Sequence, residues 1–220
     1  ASGSPAADDP TGGLGFFFGP RDVVLLGDDR LLVTDTGNHR LQVLTRDGQF
    51  ISNIGSFGNQ LGQFNEPVGL AVGPDGTVYV ADTWNGRVQR LTPDLLPAGE
   101  WRVEAWVGQS INNKPYIATD SAGRVYVPDP EGYRVLIFSG AGAYLNRFGQ
   151  YGTDGGSFSL PNGLAVAADE NPQISPGCPQ PRFHRLKSTK PGFFRETRFL
   201  ILRKKINRRF GRFRRFGIED

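Results

Sequence analysis

A six-residue phrase returns along this chain at a fixed step, and the step restricts the fold to an array of similar small units. The phrase reads Asp35-Thr36-Gly37-Asn38-His39-Arg40, then Asp82-Thr83-Trp84-Asn85-Gly86-Arg87, then Asp129-Pro130-Glu131-Gly132-Tyr133-Arg134. Its aspartates stand 47 residues apart in both steps, and its arginines keep the same interval. Prolines run in parallel: Pro20, Pro67, Pro115 and Pro161 are separated by 47, 48 and 46 residues. A period of this size marks stacked supersecondary units, none of which buries its apolar face alone.

The order inside each unit follows from short-range chemistry. After the proline comes a short apolar stretch, as in Gly69-Leu70-Ala71-Val72 or Tyr116-Ile117-Ala118. Runs this short, bounded by Gly and Pro, suit a buried strand. A tight turn follows at Pro74-Asp75-Gly76 and Ser121-Ala122-Gly123, where glycine can take positive φ. The second strand alternates in Thr77-Val78-Tyr79-Val80-Ala81 and Arg124-Val125-Tyr126-Val127. The Asp…Arg phrase then leads into a third strand, Arg40-Leu41-Gln42-Val43-Leu44 and its counterparts from Arg87 and Arg134. A fourth ends the unit, as Phe50-Ile51-Ser52-Asn53-Ile54-Gly55, Trp101 to Gly108, and Tyr144-Leu145-Asn146-Arg147-Phe148-Gly149. Four antiparallel strands per repeat make one blade of a β-propeller.

Pro67-Val68-Gly69-Leu70-Ala71-Val72, Gly76-Thr77-Val78-Tyr79-Val80-Ala81-Asp82-Thr83 and Asn85-Gly86-Arg87-Val88-Gln89 resemble an NHL repeat. Asn38-His39-Arg40-Leu41 is close to the tripeptide that names the family. The resemblance covers residues 12–168 and implies an all-β, incomplete propeller of NHL type. Blades are expected at 20–55, 67–108 and 115–149, with a partial unit of one strand at 161–168. Departures occur at Asp29, where later units have Gly76 and Gly123, and at Pro130, where the Thr is lost. After Asp169-Glu170-Asn171-Pro172 the period fails.

Charge divides the chain at the same point. Residues 171–220 carry 14 Lys/Arg against 3 Asp/Glu, a balance of +11, whereas 1–170 carry 11 against 19, a balance of −8. The 169–220 segment is read as a disordered or artefactual basic tail; nucleic acid enters as a partner only if that tail is genuine. Residues 1–11 read as a linker. The chain has no methionine and is read as a piece of a longer protein. A single cysteine, Cys178, excludes an internal disulfide framework. No apolar run approaches the roughly 18–20 residues of a membrane span. Repeats of this family are often appended to exported or membrane-anchored proteins, so the resemblance inclines the setting that way.

A feature present once per blade serves the blade, so Asp35, Asn38, Arg40, Asp82, Asn85, Arg87, Asp129 and Arg134 are assigned to structure. Asp and Asn cap tight turns through side chain to backbone bonds, and Arg can hold Asp by charge-assisted ones. With only His39 and His184 in the chain, a zinc site of the propeller-lyase kind lacks its imidazoles. No catalytic residue, metal or cofactor is assigned. Trp84, Tyr133 and His39 vary between phrases and are the candidate recognition residues. The expected function is a non-catalytic scaffold that binds a protein, peptide or glycan through loops on one face. Open blade edges add self-association as a further expectation. The rivals are a lyase or lactonase of this fold and RNA binding through the tail.

Overall fold

The computed structural model describes residues 15–110 and 114–166, and the backbone of 172–176. The 1–11 linker and the rest of the 169–220 segment, with Cys178 and His184, lie outside the described residues. Blade 1 comprises β1 (Val23–Leu25), β2 (Leu31–Asp35), β3 (Arg40–Leu44) and β4 (Phe50–Ile54). Blade 2 comprises β5 (Leu70–Val72), β6 (Val78–Asp82), β7 (Arg87–Leu91) and β8 (Pro97–Arg102). Blade 3 comprises β9 (Ala118–Thr119), β10 (Val125–Asp129), β11 (Arg134–Phe138) and β12 (Tyr144–Phe148). Each is a four-stranded antiparallel sheet in sequence order. No helix among the described residues is long and apolar enough to cross a membrane.

The 47-residue step is exact in register. Asp35 pairs with Arg40, Asp82 with Arg87 and Asp129 with Arg134, so the phrase closes the same hairpin in every blade. Each third strand also slips register at one place, after Val43, Arg90 and Ile137. Such a bulge adds local twist. Asp29 takes the positive φ of 68° that Gly76 and Gly123 take in the later blades. A short polar side chain tolerates that conformation.

Middle strands explain the near-continuous apolar runs. Val78 and Val80 of β6 point into one cluster with Leu32, Leu41 and Val43 of blade 1. Tyr79 and Ala81 of the same strand point into another, with Val125 and Val127 of blade 3. Both faces of the strand are therefore buried between neighbouring blades. Each buried valine or leucine contributes about 1.5–3 kcal/mol, and the core is distributed between blades rather than within them.

Two expectations need correction. The outer strand of blade 2 is Pro97–Arg102, not the stretch from Trp101 to Gly108. The preceding turn is tight, with Thr92 and Leu95 closing on each other, so pairing begins with Pro97 opposite Leu91. Trp101 lies in that strand, but Trp106 belongs to a 3-10 turn at Glu104–Trp106. The fourth unit also gains a second strand. β13 (Pro161–Val166) pairs antiparallel with β14 (Pro172–Pro176). Prolines at the two ends of an outlying strand remove few ladder bonds, which lets the run pair despite a composition that reads as irregular.

Candidate recognition face

Strand direction alternates along a blade, so the β2–β3 type of turn and the connector between blades emerge at one end of the sheets. There the repeated phrase grips the connector that enters its own blade. Asp82 ends β6 and is fully buried. Its Oδ1 accepts a hydrogen bond from the Asn65 backbone N–H at 2.8 Å. Its Oδ2 accepts from Asn85 Nδ2 at 2.9 Å, Arg87 Nε at 2.7 Å and Gln89 Nε2 at 3.1 Å. Arg87 spreads its other donors over the carbonyls of Asn59, Gln60 and Gln63, at 2.7, 3.0 and 2.9 Å. In blade 1, Asp35 accepts likewise from Phe18 N–H, Asn38, Arg40 and Gln42, at 2.7, 2.9, 2.8 and 2.8 Å.

Blade 3 keeps the grip with different parts. Leu136 stands where the other blades have Gln42 and Gln89. Gln109, from the connector itself, donates to Asp129 Oδ1 at 2.7 Å instead. The Gly132 backbone N–H, at 3.0 Å, replaces the asparagine side chain. A Cβ on Gly132 would overlap that carboxylate. Arg134 Nε still donates to Oδ2, at 2.7 Å.

His39 and Tyr133 occupy one position of the phrase, and both adopt the left-handed conformation, at φ 54° and 55°. Each ring packs edge-on against an aromatic of the following connector. His39 meets Phe57 and Tyr133 meets Tyr151, both with centroids 4.8 Å apart. Blade 2 has Gly86 there, with Val107 against it. Trp84 sits two places earlier, where the other blades have Gly37 and Glu131. Its Nε1 donates to Glu66 Oε2 at 2.9 Å, and Lys114 pairs with the same oxygen. The Lys114 ammonium stands 5.3 Å from the centre of the Trp84 ring. The Glu66 backbone N–H donates to His39 Nδ1 at 3.0 Å.

Glu66 thus ties the blade 1 turn to the blade 2 turn and to the connector entering blade 3. Burial works to raise its carboxyl, but the bonds from Lys114 and Trp84 outweigh it and hold the group below its usual 4.5. Phe57, Trp84, Val107 and Tyr151 are nonetheless exposed at this end of the blades. A cavity of about 450 Å³, lined by Trp84, Arg102, Trp106, Gln109 and Lys114, opens beside them.

Several of these residues escaped the sequence reading. Glu66 and Lys114 immediately precede the repeat prolines Pro67 and Pro115, a position that carries the signal. Gln42 and Gln89 are themselves 47 apart, seven residues after each Asp. Phe57, Val107 and Tyr151 lie in connectors, where only pairing with the turn marks them.

The inner strands line a second cavity of about 360 Å³, reached by Asp22, Leu70, Tyr116, Thr119 and Leu164. Asp22 joins blades 1 and 2 by accepting the Leu70 N–H at 2.8 Å. Burial pushes its carboxyl above the usual 3.8, against the pull of the Leu70 and Val23 N–H groups. The folded chain therefore holds this proton more tightly than the unfolded chain. Its contribution to stability is complete below 3.8 and is lost as pH rises through the higher folded value. Urea melts should show the parent losing more stability than Asp22→Asn between about pH 3.5 and 7. Equal slopes for the two chains would remove Asp22 from the account.

Among the described residues, no three His, Cys, Asp or Glu side chains converge as a metal site. The NHL repeat profile matches residues 17–44 and 64–91. NHL repeat-containing protein 2 of Gallus gallus is 35% identical over 74 residues, which are 30% of this chain and 10% of that protein. Protein brain tumor of Drosophila melanogaster is 24% identical over 149 residues, 61% of this chain and 13% of that protein. The chain thus matches about a tenth of these relatives' length. A catalytically inactive virginiamycin B lyase from Staphylococcus aureus, solved with quinupristin, superposes with a TM-score of 0.53 at 15% identity. That match covers 70% of this chain and 48% of the lyase, and it shows a shared β-propeller fold.

Proposed function

From a chain of NHL repeats folded as propeller blades, we propose a non-catalytic recognition module that binds a protein or peptide on its turn-and-connector face. One observation carries the reading: Phe57, Trp84 and Val107 are exposed on the phrase and on connectors that the phrase clamps to the blades, and Tyr151 is exposed on the next connector, packed against Tyr133 of the blade 3 phrase. Recognition commonly lives on loops fixed to a rigid scaffold, and partly exposed Trp and Tyr are the usual anchors. Trp84 remains 44% exposed although its indole N–H and ring face both have partners. Those partners hold the ring in place, which lowers the entropy lost on binding.

The non-catalytic part of the reading rests on the phrase itself. Asp35 and Asp82 take hydrogen bonds on both oxygens from their own blade and connector. Groups so occupied serve geometry. Peptides selected from a displayed random library on the folded chain should bind Trp84→Ala at least about 30-fold more weakly, the loss of a hot spot of roughly 2 kcal/mol. Circular dichroism should stay unchanged. Binders that keep full affinity for a Phe57→Ala, Trp84→Ala, Tyr151→Ala triple variant would place recognition elsewhere.

A further inference from the structure

The turn-and-connector face holds one imidazole, and a nitrogen of its ring supports the peptide that carries Glu66. His39 is partly exposed at the end of the blade 1 turn. Its Nδ1 accepts the Glu66 backbone N–H at 3.0 Å, so the neutral ring carries its proton on Nε2. The Phe57 ring, edge-on at 4.8 Å, packs against it. Glu66 in turn accepts the Trp84 indole N–H at 2.9 Å, on the oxygen that pairs with Lys114. One chain of contacts therefore runs from an imidazole nitrogen to the indole that the face exposes.

The charges around His39 are few. Asp35 and Arg40 of its own hairpin are joined to each other at 2.8 Å. Residues 15–20, which meet the same turn through the Phe18 carbonyl, hold no ionisable side chain. In the connector formed by residues 55–66, Glu66 alone is ionisable, and Lys114 reaches the site through it. Burial opposes the Glu66 charge, but the bonds from Lys114 and Trp84 keep its carboxyl below the usual 4.5. Glu66 is therefore an anion throughout the range in which imidazoles titrate, about pH 5 to 8.

We propose that His39 is a proton-sensitive latch on this face: neutral, it holds Glu66 where the carboxylate fixes Trp84, and protonated, it lets both go. The proposal deepens the recognition reading and rests on it for any effect on binding. Protonation turns Nδ1 from an acceptor into a donor. It and the Glu66 N–H then become two donors aimed at each other. The Glu66 carboxylate, already coupled to His39 by charge, is the anion to which the imidazolium can turn. A carboxylate drawn toward His39 leaves the Trp84 indole. Thr36 Oγ1 still donates to the Pro67 carbonyl at 2.6 Å, which keeps the connector docked and confines the change to Glu66 and what it holds.

Proton–nitrogen spectra of the full chain should show the Glu66 amide and the Trp84 indole N–H shifting together between the alkaline and acid ends of that range, with the midpoint of the His39 ring protons. The Trp106 indole, bonded to the Pro128 carbonyl at 2.8 Å, should not move. His39→Asn is the control, because an asparagine oxygen can accept the same N–H, tolerates the φ of 54° and does not titrate. In that variant the Trp84 indole should keep its alkaline position throughout, which also separates His39 from His184, the chain's other histidine. Histidine-free peptides selected on the folded chain at the alkaline end should bind the parent about 5-fold more weakly at the acid end, the effect of one hydrogen bond. They should bind His39→Asn equally at both. A Trp84 indole that ignores pH, or that shifts as much in His39→Asn, would overturn the latch. So would peptides that need Trp84 yet bind the parent equally at both ends. An indole that follows His39, with selected peptides indifferent to Trp84→Ala, would keep the latch and sink the recognition reading.

Discussion

Asp82→Ala should destabilise the chain by about 3–5 kcal/mol, the loss expected when one partner of a buried ion pair is removed. Both side chains are buried, Asp82 completely and Arg87 almost so. Alanine would leave the Arg87 Nε–H, the Gln89 amide and the Asn65 N–H without their common acceptor. Each abandoned donor costs about 1–3 kcal/mol to leave dry. Asn65 lies in the connector, so the damage should also free the segment between blades 1 and 2. Asp129→Ala is the internal comparison. Arg134 is about a third exposed, so water can replace the lost carboxylate, and the loss should be nearer 1–2 kcal/mol. Urea unfolding followed by tryptophan fluorescence measures both. Equal losses, or a loss under about 1 kcal/mol for Asp82→Ala, would mean the phrase closes a local turn and no more.

That prediction joins what the sequence displays to what it hides. The pairs Asp35 with Arg40, Asp82 with Arg87 and Asp129 with Arg134 stand at fixed spacing, and their register is legible because a hairpin places its two ends opposite each other. Third strands are equally legible, because Arg40–Leu44, Arg87–Leu91 and Arg134–Phe138 begin at the repeated arginine. The outer strand of blade 2 was not. Its start depends on how tightly Thr92 to Leu96 turns, with Leu95 at a positive φ of 65°, a conformation that no leucine advertises. β14 was hidden for a related reason: prolines that argue against a strand are harmless at its ends.

The face beside Trp84 was half legible. Variation within the phrase singles out Trp84, His39 and Tyr133, since invariant positions serve the turn. Their partners are another matter. Phe57 and Tyr151 meet His39 and Tyr133 only because connectors fold back onto turns, a contact spanning 18 residues that no local period encodes. Glu66 joins His39, Trp84 and Lys114 across three blades, and that convergence exists only once the blades stack. Sequence repetition thus reveals what each blade does for itself. What neighbouring blades do together depends on residues that differ from unit to unit.

Gly55→Ala should be the second large loss, about 2–5 kcal/mol, from two separable causes. Gly55 ends the first blade at φ 82°, where a Cβ costs about 1–2 kcal/mol. That Cβ would also overlap the ring of Phe64 and stand 3.0 Å from the Gly62 carbonyl oxygen. Phe64 is fully buried between blades 1 and 2, so its ring has nowhere to move. Overpacking of this kind adds about 1–3 kcal/mol. Gly48 isolates the first cause, because it has the same φ of 82° and open space around its missing Cβ. Gly48→Ala should therefore cost about 1–2 kcal/mol and no more. Phe64→Leu should relieve part of the Gly55→Ala loss, giving a favourable coupling of about 1 kcal/mol in a double-mutant cycle. Gly149 repeats the arrangement in blade 3 against Phe158, at φ 98°. Phe158 is only half-buried, so its ring can yield, and Gly149→Ala should fall between the other two. If Gly55→Ala matched Gly48→Ala, the close seat of Phe64 against the blade end would contribute nothing to stability, and conformation alone would explain the glycine.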